Sequence, residues 1–241
     1  MSIKPFLGLV LLPLAARRQW RAFIVAASTC VICFSVGVAA LGLTSLFGWM
    51  RAVGSVTWAG HLLNGSILGF LDRLFRNTPL PVWQLAPFMP APHWIQPLWL
   101  LAASTALGLL VWQIYAARNT SSQFLHEVTG IDRDFALSLS TALLITPFAW
   151  VYYNFFIVGP FMSLFTNCDW RNRSRAHWPI VVIAVLCFAL DPSTLTSRQP
   201  NGWATLTIGS AYFWALFTLW VWVVLDYTGT HQFRSSDAGT N

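Results

Sequence analysis

The feature that most constrains this chain is a run without charge between Arg21 and Arg51. Its 29 residues contain no Asp, Glu, Lys or Arg, and an α-helix needs only about 20 apolar residues to cross the hydrocarbon core of a bilayer. In the whole chain 56% of residues are apolar and 9% are charged, whereas an ordinary soluble domain has about 25% charged residues. The sequence therefore predicts one polytopic membrane domain and excludes a water-soluble globule.

A second run, between Asp134 and Asp169, holds 34 uncharged residues. As one helix it would be about 50 Å long, far more than the hydrocarbon core of about 30 Å. We expect it to break at Thr146–Pro147 because proline removes a helical hydrogen bond. Short, broken helices indicate backbone that lines a cavity instead of facing lipid.

The resulting prediction is an all-α fold, a transmembrane helical bundle with about seven spans in a single domain, residues 1–241. The spans are expected at about 3–16, 22–48, 95–116, 135–146, 151–167, 178–190 and 204–225. The long segment 51–94 lies outside the spans and is expected to carry an interfacial helix at about 62–76.

Orientation follows from the basic residues, because Lys and Arg are enriched in short cytoplasmic loops. One set of loops, with the tail, holds nine arginines: Arg17, Arg18, Arg21, Arg118, Arg133, Arg171, Arg173, Arg175 and Arg234. The other set holds five basic residues: Lys4, Arg51, Arg73, Arg76 and Arg198. This predicts an amino terminus outside and a carboxyl terminus in the cytoplasm. The net charge of +6 is explained by these loops, and no nucleic-acid partner is expected.

The interfacial helix at 62–76 has apolar residues on one side and Gly65, Gly69, Asp72, Arg73 and Arg76 on another. Such a pattern is typical of a helix lying in the membrane surface. Its arginines are expected to point to the headgroup layer, where a guanidinium binds phosphate with two parallel hydrogen bonds. The alternative is a surface helix that binds no ligand.

Other polar residues give weaker signals. Lys4, beside Pro5, is a functional candidate if it lies in a span, or else a solvated charge near the start of the chain. Asp72 is expected to pair with Arg73, which leaves no paired carboxylates for acid–base chemistry. His61 has no second ligand at metal spacing, and no nucleotide-binding glycine loop occurs. We expect no metal and no cofactor.

Three segments together resemble glycosyltransferase family 87. They are Lys4-Pro5 followed by Arg17-Arg18, Asn64-Gly65-Ser66 with Arg73 nine residues after Asn64, and Thr146-Pro147-Phe148-Ala149-Trp150. The sequence departs from the family pattern where Gly65 replaces a usual Gln, where Thr146 and Ala149 replace two serines, and where Tyr152-Tyr153-Asn154 stands in place of histidines. The resemblance implies the GT-C membrane fold, of which the chain is expected to be the carboxy-terminal half. The catalytic acid, which that fold carries in its first external loop, is expected before Met1.

The resemblance also implies a function, namely transfer of a mannose-like hexose from a polyprenyl-phosphate donor to a glycan or glycolipid acceptor outside the bacterial inner membrane. Because the donor phosphate is the leaving group, cations should stabilise its developing charge. We expect Arg73 and Lys4 to bind the phosphate, and Asn64, Ser66 and Trp150 to bind the sugar or donor. The alternatives are a transporter or channel and a non-catalytic membrane scaffold subunit.

Overall fold

A computed structural model describes residues 5–54, 59–76, 78–80, 83–120, 127–166, 177–189, 192 and 201–237. The described chain is mostly helical. Its α-helices are α1 (Leu12–Ala16), α2 (Trp20–Gly54), α3 (Ile67–Phe75), α4 (Ile95–Thr120), α5 (Glu127–Ile145), α6 (Phe155–Thr166), α7 (His177–Ala189), α8 (Gly202–Leu206) and α9 (Ala211–Asp237). Short 3₁₀ turns occur at Pro5–Leu11, Pro92–Trp94, Val151–Asn154 and Ile208–Ser210.

The exception to the all-α prediction is one small hairpin in the segment between α3 and α4. Its strands β1 (Thr78–Leu80) and β2 (Trp83–Leu85) pair antiparallel, with Pro79 opposite Gln84. The hairpin does not change the helical class of the fold.

Three of the described helical segments are long and apolar enough to cross a membrane. They are Trp20–Ala52, Pro92–Ala116 and Gly202–Leu225. These three support the predicted helical membrane fold, and the count of seven spans stays a prediction.

The three candidate spans differ in how they are packed. The core lies among α4, α5 and α9, where Leu110, Leu143, Leu216 and Val223 are buried together. By contrast, α2 leaves its apolar side chains exposed within the described chain, and it bends at Gly42, where φ is +77°. The bundle core therefore excludes α2 along most of its length.

Helix α5 begins earlier than the sequence predicts and ends where the sequence predicts. This helix begins at Glu127, about eight residues before the predicted start, and runs through Asp134, which is buried. The charge is tolerated because Arg17, after α1, donates from Nε to Asp134 Oδ2 at 2.6 Å. At its other end α5 stops at Ile145, directly before the Thr146–Pro147 step where the sequence predicts a break. The chain resumes helical structure at Val151.

Candidate functional site

Ser66 starts the helix that carries Arg73. Its Oγ accepts a hydrogen bond from Gly69 N (3.0 Å), which caps the first turn of α3, as serine commonly does at this position. The same hydroxyl donates to Pro147 O (3.2 Å) in the break after α5. Ser66 thereby ties the start of α3 to that break.

Asn64 connects the same two segments through its side chain. Its Nδ2 donates to Ala59 O (2.8 Å) and Pro147 O (2.9 Å), while its Oδ1 accepts from Ala149 N (2.8 Å) and Ser66 N (3.2 Å). An amide side chain has two N–H donors and two acceptor lone pairs, so all of them are used. We call Asn64 and these four partners the Asn64 clasp.

Backbone hydrogen bonds continue the Asn64 clasp on both sides. Gly65 N donates to Ala149 O (2.7 Å) and Val151 N donates to Leu63 O (2.9 Å). Asn64 also forms an isolated antiparallel bridge with Trp150. Two segments more than 80 residues apart in the chain are therefore held in one fixed register.

The two glycines near the Asn64 clasp permit this close approach. A Cβ at Gly69 would lie 2.6 Å from Asn64 Nδ2 and 2.9 Å from Ala59 O, and a Cβ at Gly65 would lie 3.1 Å from Tyr212 O. The first two distances are too short for a real side chain. Gly69 lies on the face of α3 that meets the rest of the protein, and Gly65 directly precedes the capping residue Ser66.

Arg73 is the buried cation of the site, with 1% of its surface exposed. Its Nη1 donates to His61 O (2.8 Å) and Asn64 O (2.9 Å), and its Nε donates to Ser210 Oγ (3.1 Å). Its Nη2 is buried and has no hydrogen-bond partner among the described residues. Burial lowers the pKa of Arg73 to about 9, against the opposing effect of Asp72, so the side chain is still charged at neutral pH.

The prediction of an ion pair between Asp72 and Arg73 is wrong. Asp72 Oδ1 instead accepts a hydrogen bond from Arg76 Nε at 2.9 Å. The other oxygen, Oδ2, is buried without a hydrogen-bond partner in the part of the chain that the structure describes. Burial raises the pKa of Asp72, while Arg76, the backbone N–H of Gly60 and Arg73 oppose the rise. A helical ion pair one turn apart has replaced the predicted neighbour pair.

The expectation that both arginines point to the headgroup layer fails for Arg73. The face with Gly69, Asp72 and Arg73 is turned inward and buried, while the Arg76 side chain is 46% exposed. The physical reason is that Gly69 on this face admits the preceding loop, whose carbonyl groups accept hydrogen bonds from the guanidinium. The polar residues on this face of α3 therefore contact the rest of the protein instead of lipid headgroups.

Aromatic rings form the accessible edge of the site. The partly buried ring of Trp150 lies 5.2 Å from His61 and 6.3 Å from Tyr152, centroid to centroid, and is parallel to the Tyr152 ring within 2°. Tyr152 is 53% exposed. His61 Nδ1 accepts from Leu63 N at 3.1 Å, and burial, helped by Arg73, lowers the pKa of His61. Both effects favour the neutral form of the imidazole next to Trp150.

The fold thus brings together four of the five predicted site residues, Asn64, Ser66, Arg73 and Trp150. Lys4, the fifth, lies outside the described residues. Sequence reasoning missed Ser210 and the backbone of residues 147–149. A backbone carbonyl has no sequence signal, and a single serine in an apolar segment has a very weak one.

The fold and site define a helical membrane protein with a buried, charged guanidinium centre beside an aromatic surface. The sequence model of glycosyltransferase family 87 matches residues 1–131, more than half of the chain, and the chain belongs to this family. The family resemblance expected from the motifs is confirmed. At the level of the family the protein is a membrane glycosyltransferase, with a sugar donor and an acceptor as its partners.

The match includes Asn64, Ser66 and Arg73 and ends before Trp150 and Ser210. No curated protein matches the chain, and no solved structure does.

Proposed function

We propose that this protein transfers a mannose-like hexose from a polyprenyl-phosphate donor to a glycan or glycolipid acceptor. The proposed location is the outer side of the bacterial inner membrane. Family membership supports sugar transfer, and the three long apolar helices support a membrane-bound donor. The observation that carries the choice of donor is the charge of Arg73.

A buried charge is costly unless it is paired. Every hydrogen-bond partner of Arg73 in the described chain is a neutral oxygen, from two carbonyl groups and one hydroxyl, and Asp72 pairs with Arg76. An anionic ligand would therefore gain much from this guanidinium. The phosphate of a lipid-linked sugar is such an anion, and its charge grows as the sugar leaves.

We propose that Nη2 of Arg73 donates to this phosphate. That nitrogen is enclosed in the present state, so phosphate binding requires the residues around it to move apart. Lys4 is proposed as a second phosphate contact.

The roles that the sequence predicts for Asn64 and Ser66 differ from the contacts of their side chains. Direct sugar or donor binding was the role expected for Asn64 and Ser66, but their side chains are engaged inside the protein. We propose that both act by holding the Asn64 clasp. The sugar is proposed to stack on Trp150, whose neighbours His61 and Tyr152 widen the aromatic surface.

The test is a transfer assay with purified protein in proteoliposomes. A labelled polyprenyl-phosphate hexose is the donor, and membrane glycolipids are the acceptor mixture. We expect Arg73→Met to reduce transfer by about 10²–10³-fold, the typical cost of removing one preorganised donor to a developing anion. Arg51→Met removes the same charge at an exposed position of α2 and is expected to keep wild-type transfer.

Thermal unfolding of both variants in detergent shows whether they are folded. Equal transfer by folded Arg73→Met and wild-type protein would remove Arg73 from the donor site. Folded wild-type protein that moves no hexose from polyprenyl-phosphate donors would overturn the proposed reaction.

A further inference from the structure

Ser210 is a buried serine outside the part of the chain that matches the family. It ends the 3₁₀ turn Ile208–Ser210, directly before α9, and has no exposed surface. Its Oγ lies 2.8 Å from Thr205 O and 3.1 Å from Arg73 Nε. Ser210 is thus a side-chain contact between α3 and the start of α9, 137 residues further along the chain.

The direction of these two hydrogen bonds is fixed by chemistry. A hydroxyl has one hydrogen to donate and lone pairs to accept with. The Thr205 carbonyl can only accept, so the Ser210 hydrogen must point to it. A lone pair of Ser210 Oγ then faces Arg73, whose Nε–H can only donate. Each partner therefore holds the hydroxyl in the orientation that the other requires.

The guanidinium is planar, so contacts to two of its nitrogens determine where the third one points. Nη1 is held by the carbonyl groups of His61 and Asn64, and Nε is held by Ser210. Together they set the direction of Nη2. Of these three acceptors, only Ser210 uses a side chain, so it alone can be removed by substitution without a change in the backbone.

The segment that holds Ser210 is itself fixed by contacts of Thr205 and Gly202. Thr205 is fully buried, and its Oγ1 donates to Ala86 O at 2.8 Å. A Cβ at Gly202 would lie 2.7 Å from Phe88 Cα, which shows how closely α8 meets the segment around residues 86–88. Movement of Ser210 relative to Arg73 is restricted by these contacts.

We propose that Ser210 is a positioning residue for donor binding, which directs Nη2 of Arg73 toward the phosphate of the lipid-linked sugar. This inference rests on the proposed function, because it gives Ser210 a role only through Arg73. It adds a residue from the carboxyl-terminal part of the chain to a site otherwise built by residues 59–76 and 147–151.

The experiment compares the binding of a polyprenyl phosphate with that of a polyprenol of the same length, using the full chain in lipid nanodiscs. The ratio of the two affinities measures recognition of the phosphate. We expect Ser210→Ala to reduce this ratio about tenfold to a hundredfold, the usual effect of losing a hydrogen bond to a charged group. Ser210→Cys keeps the size but weakens the acceptor, and an intermediate ratio is expected.

Ser140→Ala is the matched control. Ser140 is also buried, but among the described residues its Oγ bonds only to carbonyl groups of its own helix, Ala136 O at 2.7 Å and Leu137 O at 3.2 Å. The control is expected to keep the wild-type ratio. A merely structural role for Ser210 would lower thermal stability and leave the preference for phosphate over alcohol unchanged.

The outcomes separate this inference from the proposed function. If Arg73→Met abolishes phosphate preference while Ser210→Ala behaves like Ser140→Ala, the role of Ser210 is overturned and the proposed function stands. If Arg73→Met keeps the preference, the proposed phosphate site is overturned, and the role of Ser210 with it. In an Arg73→Lys background, which lacks the Nε–H group, adding Ser210→Ala is expected to cause no further loss; a further loss of the full size would also overturn the inference.

Discussion

Two arginines, Arg17 and Arg73, lie inside this protein in different electrostatic surroundings. Arg17 donates to the buried carboxylate of Asp134 at 2.6 Å, and its own side chain is 16% exposed. Arg73 is more deeply buried, and its hydrogen-bond partners in the described chain are neutral oxygens. The Arg17 guanidinium is paired with a carboxylate of the protein. The Arg73 guanidinium is held in place by neutral groups.

This difference distinguishes a structural arginine from a candidate ligand-binding one. An ion pair such as Arg17–Asp134 satisfies both charges and joins the α1–α2 turn to α5. A guanidinium held by carbonyl and hydroxyl groups is positioned without a hydrogen bond to a carboxylate. Burial alone does not distinguish a structural arginine from a ligand-binding one. The chemistry of the hydrogen-bond partners does distinguish them.

The largest stability effect is expected at the ion pair. Asp134→Ala leaves Arg17 without its carboxylate and should lower the free energy of unfolding by about 3–5 kcal/mol. Replacing both residues, Arg17→Met with Asp134→Leu, should restore stability to within about 1–2 kcal/mol of wild type, because neither charge of the pair remains. Denaturant unfolding in detergent micelles measures both effects.

Polyprenyl-phosphate binding by the same double variant completes this test. It is expected to equal wild type, since Arg17 has a structural role only. Loss of phosphate binding in a stable double variant would show that Arg17 also serves the ligand, and the comparison of the two arginines would no longer hold.

A smaller effect is expected at the Asn64 clasp. Gly69→Ala places a Cβ 2.6 Å from Asn64 Nδ2 and 2.9 Å from Ala59 O, and such overpacking should cost about 1–3 kcal/mol of unfolding free energy. Phosphate binding should also weaken, because the Asn64 carbonyl holds Arg73.

The matched control is Gly108→Ala, in α4, where a Cβ would meet nothing within 4 Å. There the substitution should stabilise the helix by about 0.5–1 kcal/mol. A Gly69→Ala variant as stable as wild type would show that the clasp is looser than the contacts indicate.

Much of the fold could be predicted from the sequence, for reasons that the packing makes clear. The uncharged run between Arg21 and Arg51 identified a helix long and apolar enough to cross a membrane, and Pro147 identified the end of α5 at Ile145. The start of α5 was missed because Asp134, as the charged boundary of the uncharged run, was expected to lie outside the helix. A helix can continue through a buried carboxylate when a distant residue, here Arg17, pairs with it.

The sequence predicted which residues belong to the site better than it predicted how they are arranged. The helical spacing of Gly65, Gly69 and Arg73 placed them on one face, but periodicity does not say whether a polar face meets water or protein. The deciding contacts are backbone carbonyl groups, such as Pro147 O and His61 O, and any residue could supply these. Only the folded chain shows that the face is turned inward.

The smallest effect is expected in the pH dependence of stability. Burial, and secondly Arg73, lowers the pKa of His61 below its ordinary value of 6.5. Between the folded and unfolded pKa values the unfolded chain binds more protons. The contribution of His61 to stability is therefore complete above about pH 6.5 and decreases as the pH falls through the folded pKa.

Unfolding measured between pH 7 and pH 5 checks this contribution. His61→Gln should make the decrease toward acid smaller, and Arg73→Met should do so in part, because it removes the second cause of the shift. Adding Arg73→Met to His61→Gln should change the slope only through Asp72, whose raised pKa Arg73 opposes. An unaltered slope in His61→Gln would show that the pKa of His61 is not lowered in the folded protein.

The saturated hydrogen bonding of Asn64 also has a consequence for chemical ageing. Asparagine followed by glycine is prone to deamidation, in which the glycine nitrogen attacks the side-chain amide carbon and ammonia leaves. Here the Gly65 N–H is bound to Ala149 O at 2.7 Å and both ends of the Asn64 amide are held, so the ring closure would have to break the clasp first. The folded protein should resist this damage, and chains that unfold should accumulate it.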